Sequence, residues 1–346
     1  SIRQGFRLAE GPRAWIMTMA GTANMISRKE SAMRVLIFGA GAVGLGLGSC
    51  MLKSDVELTM VGNHTTVSTL HTHGLSRTGI FGDFHAKPES FTCATDLGCL
   101  PKGVYDYVLV CTKSFDSESA AGELSRHTAL FHRNTKIVLC QNGWGNAEIF
   151  ASFFPEDQIY NARIITGFSC TKPNEVAVTV HADAIHIGSQ YGANPENVRV
   201  ICAAIENGDI PCVATADIGK DLWAKMLYNC ALNPLGAILG VPYGRLGESP
   251  DTRRVMEGIV KEVFDVMLAA GYETHWASPD SFLKAFYSNQ LPETAAHESS
   301  MLQDIRRQKP TEIDALNGAV IEIGRQHNVP TPFNTTAYAL VRFIEG

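Results

Sequence analysis

The sequence predicts an α/β fold, in which a doubly wound parallel sheet precedes an all-helical domain. Short apolar runs alternate with helix-compatible stretches through the first half of the chain, the pattern of a parallel sheet with crossover helices. Gly39-Ala40-Gly41-Ala42-Val43-Gly44 follows the first of these runs and opens the first helix. Beyond about Gly219 the strand signals vanish and long periodic segments take over.

Taken in order, Arg34–Phe38 (RVLIF) is the first strand, and a helical stretch follows the glycines to about Lys53. Val56–Val61, Tyr105–Cys111 and Lys136–Leu139 are further buried strands. Ile159–Thr166, Val176–His181 and Ala184–Gly188 leave little room for helices between them. They are expected to extend the same sheet, the last two as a hairpin around Asp183. The boundary falls near Ala214–Gly219. Helices are then expected over Asp221–Leu239, Thr252–Ala270, Ser278–Tyr287 and Thr311–Asn328. The division is an extension over 1–32, a nucleotide-binding domain over 33–216 and a helical catalytic domain over 217–346. The extension carries no apolar core long enough for a secretory signal. It reads as dispensable, with an Arg-rich targeting peptide as the alternative.

Composition narrows the class. The chain has 346 residues, is 45% hydrophobic and 18% charged, and carries a formal net charge of -6. That balance argues against a nucleic-acid footprint, and no apolar run has membrane-spanning length. Nine cysteines occur with no CxxC pair. Those in apolar runs (Cys111, Cys140, Cys230) read as small buried hydrophobes of a reducing, cytoplasmic compartment, and no metal site is expected.

The glycine loop carries a specific chemistry. Gly39 permits the tight turn, Gly41 lets a pyrophosphate approach the backbone, and Gly44 permits close helix–strand packing. With Ala42 and Val43 they form the expected dinucleotide contact, and the helix N-terminus stabilises phosphate charge. A glycine-rich turn without a ligand is the plain alternative. The second strand ends in Val61-Gly62-Asn63-His64. No acid stands there to bind ribose hydroxyls or repel a 2′-phosphate, so NADP is the cofactor expected, with Asn63 as a donor. Asn63 and His64 also read as ordinary exposed loop residues. Lys113 and Asn142 follow two further strands at the carboxyl edge, where ligands of such sheets sit. Lys113 is a candidate cofactor contact, and Asn142 a bridge between cofactor and substrate. A solvated lysine and a turn Asn-Gly pair are their plain alternatives.

Leu222–Ala237 (LWAKMLYNCALNPLGA) holds the least ordinary pattern. Lys225, Asn229 and Asn233 recur every four residues, which in a helix places them within roughly an 80° arc spread over about 12 Å. The rest of the segment is almost wholly apolar, and such a helix is buried. A buried polar stripe needs a polar counterpart, either a substrate or an internal hydrogen-bond network. The rival reading pairs Lys225 with Asp221, one turn earlier.

GAGAVG, CTKS, CQNGWGN, LWAKMLYNCALNPLGA and SSMLQDIRRQKPTEIDALNGAV, in this order and spacing, resemble the 2-dehydropantoate 2-reductase (ketopantoate reductase) family. The resemblance runs from about Met33 to the C-terminus. It implies a Rossmann-type nucleotide domain joined to a helical one, as in 6-phosphogluconate-dehydrogenase-like reductases. It also implies NADPH-dependent reduction of 2-dehydropantoate to pantoate, a step of pantothenate synthesis. Lys225 would be the general acid that protonates the ketone oxygen. Glu312 would hold the substrate's hydroxyl end and orient the site. Asn142, Asn229, Asn233 and Ser300 would bind the substrate, and Lys113 the cofactor. Two positions depart from the family: an arginine is common at Asn63, and some members carry asparagine at His297.

The chemistry agrees with those roles. Hydride addition to a ketone builds negative charge on oxygen, and a lysine whose pKa is lowered by burial can supply the proton. Pro234 cannot donate to the Cys230 carbonyl, so a kink is expected beside Asn233. Pro310 is expected to start a helix with Glu312 in its first turn, kept ionised by the macrodipole. On local evidence Glu312 also reads as a plain helix-stabilising glutamate, and Ser300 as a helix cap. Two alternatives accompany the leading function: the same mechanism on another 2-oxo acid or ketone, and a nucleotide-sensing module without catalysis. The partner expected is a small 2-oxo acid, with neither nucleic acid nor membrane; a homodimer is left open.

Overall fold

A computed structural model describes residues 32–100 and 105–346, so the reading of residues 1–32 as an extension lies almost entirely outside the described residues. The strands are β1 (Met33–Phe38), β2 (Val56–Val61), β3 (Leu75–Gly79), β4 (Phe84–Ala86), β5 (Thr92–Ala94), β6 (Tyr107–Val110), β7 (Lys136–Leu139), β8 (Ile159–Arg163), β9 (Thr166–Lys172), β10 (Glu175–His181), β11 (Ile185–Gly188) and β12 (Cys212–Ala214). Helices α1 (Ala42–Met51), α2 (His64–His73), α3 (Ser117–Ser125), α4 (Asn146–Ala151) and α5 (Arg199–Glu206) are interleaved with them.

An eight-stranded sheet runs in the order β12-β11-β8-β7-β6-β1-β2-β5. Its strands from β5 to β8 are parallel, and β11 joins β8 antiparallel. The continuous apolar run of β1 is buried on both faces, as a central parallel strand must be. Val35 and Ile37 pack with Leu45 and Leu47 of α1 and Ile201 and Ile205 of α5. Leu36 and Phe38 belong to the cluster that includes Ala121 and Leu124 of α3 and Phe150 of α4.

The expected hairpin around Asp183 does not form. Instead β10 pairs antiparallel with β9 across Pro173-Asn174, and both lie in a separate four-stranded sheet, β4-β3-β10-β9. The reason is burial on one face. Val176 and Val178 turn inward to the cluster containing α1, while intervening residues stay partly exposed. Ile159–Thr166 likewise divides into β8 and the start of β9. The short strands β3, β4, β5 and β12 have no counterpart in the sequence reading.

From Asp217 onward the chain is helical: α6 (Ile218–Leu239), α7 (Tyr243–Glu248), α8 (Pro250–Ala269), α9 (Pro279–Ala285), α10 (Leu291–Glu293), α11 (Ser300–Arg306), α12 (Asn317–His327) and α13 (Pro332–Glu345). Helix α9 continues into a π-turn over Phe286–Gln290. Helix α6 packs against α8, α11 and α13. Its apolar residues, Trp223, Met226, Leu227, Cys230 and Leu232, lie in one core with Val263 and Phe264 of α8. Pro234 sits inside α6 without ending it. The Cys230 carbonyl that Pro234 leaves without its helical donor accepts from Asn317 Nδ2 at 3.2 Å.

Thr311–Asn328 is not one helix. Ile313–Ala315 forms a single 3-10 turn, Leu316 breaks the backbone at φ -102, ψ -103, and α12 begins only at Asn317. Glu312 therefore precedes the 3-10 turn and is outside the first turn of an α-helix, so a macrodipole does not account for its charge. All nine cysteines are free thiols. Among the described residues no helix is long and apolar enough to cross a membrane, and no cluster of three or more metal-ligating side chains occurs.

Candidate active site

The glycine loop is shaped by three different constraints. Gly39 has φ +110, and a Cβ there would stand 2.7 Å from the Cys111 carbonyl carbon beyond β6. A Cβ at Gly44 would stand 2.2 Å from the Gly39 carbonyl oxygen. Gly41 differs, since nothing lies within 4 Å of its missing Cβ. A side chain at Gly41 would occupy open space at the N-terminus of α1, where no side chain caps the helix. This cradle suits the phosphates of a dinucleotide: open, glycine-lined and at a positive helix end.

The cradle opens into a cleft of about 1190 Å³ at the carboxyl edge of the sheet. Its walls include the glycine loop and Asn63 at one end and Lys225, Asn229, Asn233 and Ser300 at the other. Asn63 is the N-cap of α2, and its Oδ1 accepts from the Thr66 amide at 2.9 Å. Its amide N–H groups have no protein partner among the described residues and are free to donate to a ligand.

Lys225 projects from α6 toward two protein acceptors. Its Nζ donates to Asn142 Oδ1 at 2.6 Å and to the Ile164 carbonyl at 2.7 Å. Asn142 Nδ2 in turn donates to Glu312 Oε2 at 3.0 Å. Glu312 Oε1 accepts from the Ser114 amide at 3.1 Å, so both carboxylate oxygens are taken by protein donors. Lys113 Nζ lies 2.7 Å from Asp304 Oδ2 and 3.7 Å from Glu312 Oε2. Burial works against the Lys113 charge, yet Glu312 and Asp304 outweigh it and hold its pKa above the ordinary value. The loop bearing Asn142 is pinned by Asn146 Nδ2, which donates to the Asn142 carbonyl at 3.0 Å. The Trp144 amide donates to the Ala315 carbonyl at 2.8 Å, tying that loop to the Glu312 turn.

Burial pushes the Lys225 pKa down to about 8; the Glu312 charge opposes the shift and Arg163 adds to it. The rival pairing with Asp221 does not occur. Asp221 is buried and bonded to His186 Nδ1 at 2.8 Å and His275 Nε2 at 2.7 Å.

Asn229 is 8% exposed, lines the cleft, and its amide has no protein partner among the described residues. Asn233 Oδ1 accepts from the Tyr243 hydroxyl at 2.6 Å. Ser300 is exposed on the cleft wall and does not cap α11; Ser299 does, accepting from the Leu302 amide at 3.0 Å. Ile164, Ser114, Asp304 and Tyr243 were absent from the sequence reading. Two of these act through backbone atoms, which leave no trace in residue identity. Asp304 lies inside the quoted SSMLQD motif and could have been singled out there.

Two family models cover the chain: "Ketopantoate reductase PanE/ApbA" over residues 35–191 and "Ketopantoate reductase PanE/ApbA C terminal" over residues 217–345. The chain belongs to the ketopantoate reductase family. It is 34% identical over 311 residues to the 2-dehydropantoate 2-reductase of Aquifex aeolicus (strain VF5), covering 90% of this chain and 96% of that one. The crystal structure of a PanE/ApbA family ketopantoate reductase from Ralstonia eutropha JMP134 matches with a TM-score of 0.78 at 27% identity, over 90% and 98% of the two chains. A D-mandelate dehydrogenase solved with NADH and anilino(oxo)acetate shares the fold, with a TM-score of 0.80 at 22% identity over 90% and 98%. As a ketopantoate reductase family member, the chain is an oxidoreductase acting on a CH–OH group and its ketone.

Proposed function

We propose that this ketopantoate reductase family member reduces 2-dehydropantoate to pantoate with NADPH, and that Lys225 is the general acid. The observation that carries the reading is the setting of Lys225: an ammonium with a pKa near 8 whose three N–H donors have two protein partners. The third donor is left for the ketone oxygen. A lysine of ordinary pKa would part with its proton less readily, and one of much lower pKa would be neutral at physiological pH.

In this reading residues 33–216 hold the nucleotide. Gly39, Gly41, Ala42, Val43 and Gly44 receive the pyrophosphate, and Asn63 faces the ribose phosphate. A reduced nicotinamide bound along the cleft supplies the hydride. Residues 217–346 provide the acid and most of the substrate site. As charge builds on the ketone oxygen, Lys225 passes it a proton and is left neutral, then recovers a proton from solvent. Asn142 and Glu312 keep its amine in place. Asn229 and Ser300 bind the carboxylate region, Asn233 the remainder of the carbon chain, and Lys113 the cofactor side of the cleft.

A second reading keeps the mechanism and changes the 2-oxo acid. It is favoured by His297, which lines the substrate end where some relatives carry asparagine. Steady-state rates with NADPH and NADH against 2-dehydropantoate, pyruvate and 3-methyl-2-oxobutanoate separate the two. The highest kcat/KM is expected for NADPH with 2-dehydropantoate, by on the order of tenfold or more. Equal turnover of a simple 2-oxo acid would contradict the substrate assignment.

A further inference from the structure

Helix α6 ends at Gly240 in the left-handed region (φ +66), and the chain doubles back so that Tyr243 returns beneath Asn233. Tyr243 is 3% exposed. Its hydroxyl donates to Asn233 Oδ1 at 2.6 Å, a bond made between two buried side chains. His297 seats Tyr243 twice. The His297 carbonyl accepts from the Tyr243 amide at 3.0 Å, and its ring meets the Tyr243 ring edge-on at 5.3 Å. Tyr228 braces the other side edge-on at 5.8 Å and is itself tied to Thr294 Oγ1 at 2.6 Å.

A free amide presents an acceptor or a donor by turning over. With Oδ1 turned to the Tyr243 hydroxyl, the Nδ2 donors, which have no protein partner among the described residues, are the end Asn233 presents to the cleft. The carboxylate of a 2-oxo acid is bonded to the carbon bearing the reacting ketone. The carboxylate and the carbon chain leave the ketone carbon on opposite sides and so meet different donors: in this reading Asn229, about 6 Å along α6 from Lys225, takes the carboxylate, and Asn233, about 12 Å along, the far end of the chain. The Tyr228, Tyr243 and His297 rings suit branched alkyl carbons between these points.

We propose that Tyr243, seated by His297, is a positioning residue that fixes Asn233 as the donor reading the hydroxyl oxygen of a 4-hydroxy-2-oxo acid. This rests on the 2-dehydropantoate reading above and adds the device that selects for the hydroxyl. Burial keeps the Tyr243 phenol protonated, and Asn233 Oδ1 is the one acceptor for its proton among the described residues, so turning the Asn233 amide over would strand that proton in the core. A substrate lacking the hydroxyl leaves the Asn233 donors buried and unpaired, a penalty that discriminates more strongly than a missing methyl group.

The test compares 2-dehydropantoate with trimethylpyruvate, which carries a methyl in place of CH2OH. Tyr243→Phe keeps the ring and removes the hydroxyl. It is expected to lower kcat/KM for 2-dehydropantoate about tenfold more than for trimethylpyruvate, mainly through KM for the oxo acid. On an Asn233→Ala background it should add no further loss of discrimination, because the two act as one unit. Equal losses on both substrates, unchanged discrimination, or additive effects would overturn the proposal. If Tyr243→Phe proves unstable, His297→Ala withdraws the ring brace while keeping the backbone bond, and unchanged discrimination there overturns the proposal equally. Should the unmodified enzyme fail to prefer 2-dehydropantoate, the substrate reading falls and this proposal with it. Preference that survives Tyr243→Phe removes this proposal alone.

Discussion

Lys225 Nζ donates to Asn142 Oδ1 at 2.6 Å, joining α6 to the loop after β7 across 83 residues of sequence. That bond fixes the direction of every bond beyond it. With Oδ1 turned to Lys225, Asn142 Nδ2 must face an acceptor, and Glu312 Oε2 is that acceptor at 3.0 Å.

Glu312→Gln breaks this order without changing size. An amide cannot accept from Asn142 Nδ2 and from the Ser114 amide through both of its ends. Either Asn142 turns over, placing a donor against Lys225, or one bond is lost. A fall in kcat/KM on the order of 10² is expected in initial-rate measurements with 2-dehydropantoate. A variant within about twofold of the unmodified enzyme would show that the carboxylate does not orient the acid.

The pH dependence follows from the protonated amine being the active form. Burial sets the Lys225 pKa at about 8, below the usual lysine value. For ketone reduction, kcat/KM should be flat below that pH and fall about tenfold per unit above it. The oxidation of pantoate should show the opposite limb, rising to a plateau above about 8, because it needs the neutral amine. The Glu312 charge raises the Lys225 pKa, so in Glu312→Gln the limb should move to lower pH. A limb that stays fixed would contradict the coupling.

Asn63→Asp tests the cofactor assignment without disturbing α2. A carboxylate oxygen still accepts from the Thr66 amide, so the cap is kept. The new charge repels a 2′-phosphate and suits ribose hydroxyls. The ratio of kcat/KM for NADPH over NADH is expected to fall by on the order of tenfold or more. An unchanged ratio would place the phosphate elsewhere.

Asn317→Ala should act on stability. Asn317 is fully buried and bridges the Cys230 carbonyl, beside Pro234, to Asn334 Oδ1 at 2.9 Å. Its loss leaves that carbonyl buried without a donor, at a cost of about 1–3 kcal/mol. Thermal unfolding should show a Tm lower by a few degrees; an unaltered Tm would mean that another donor satisfies the carbonyl.

The parts of the fold legible in the sequence were those with a strong local signature. β1 with its glycine loop, the buried runs of β6 and β7, and the polar comb of α6 each announce themselves within a few residues. β9 and β10 did not, because Pro173-Asn174 and Ala182-Asp183 are both turn-like and nothing local says which one closes a hairpin. β5 and β12 are three residues each, too short for a period to register. Pro310 suggested a helix start, but the backbone break at Leu316 delays α12 past Glu312. The sequence singled out residues that line one cleft, but not the contacts among them. Asn142 and Glu312 are 170 residues apart, Ile164 contributes only a carbonyl, and Asp221 is occupied by histidines from two distant segments. Such pairings exist only once the chain is folded.

The most direct measurement of the central claim is kcat of Lys225→Met with NADPH and 2-dehydropantoate at neutral pH, with NADPH affinity determined on the same preparation. Methionine fills the buried space of the lysine stem and carries no proton. The account predicts that kcat falls on the order of 10²–10⁴ while NADPH binds within about threefold of the unmodified enzyme. A kcat within about tenfold of the unmodified enzyme, with NADPH binding intact, would contradict Lys225 as the proton donor.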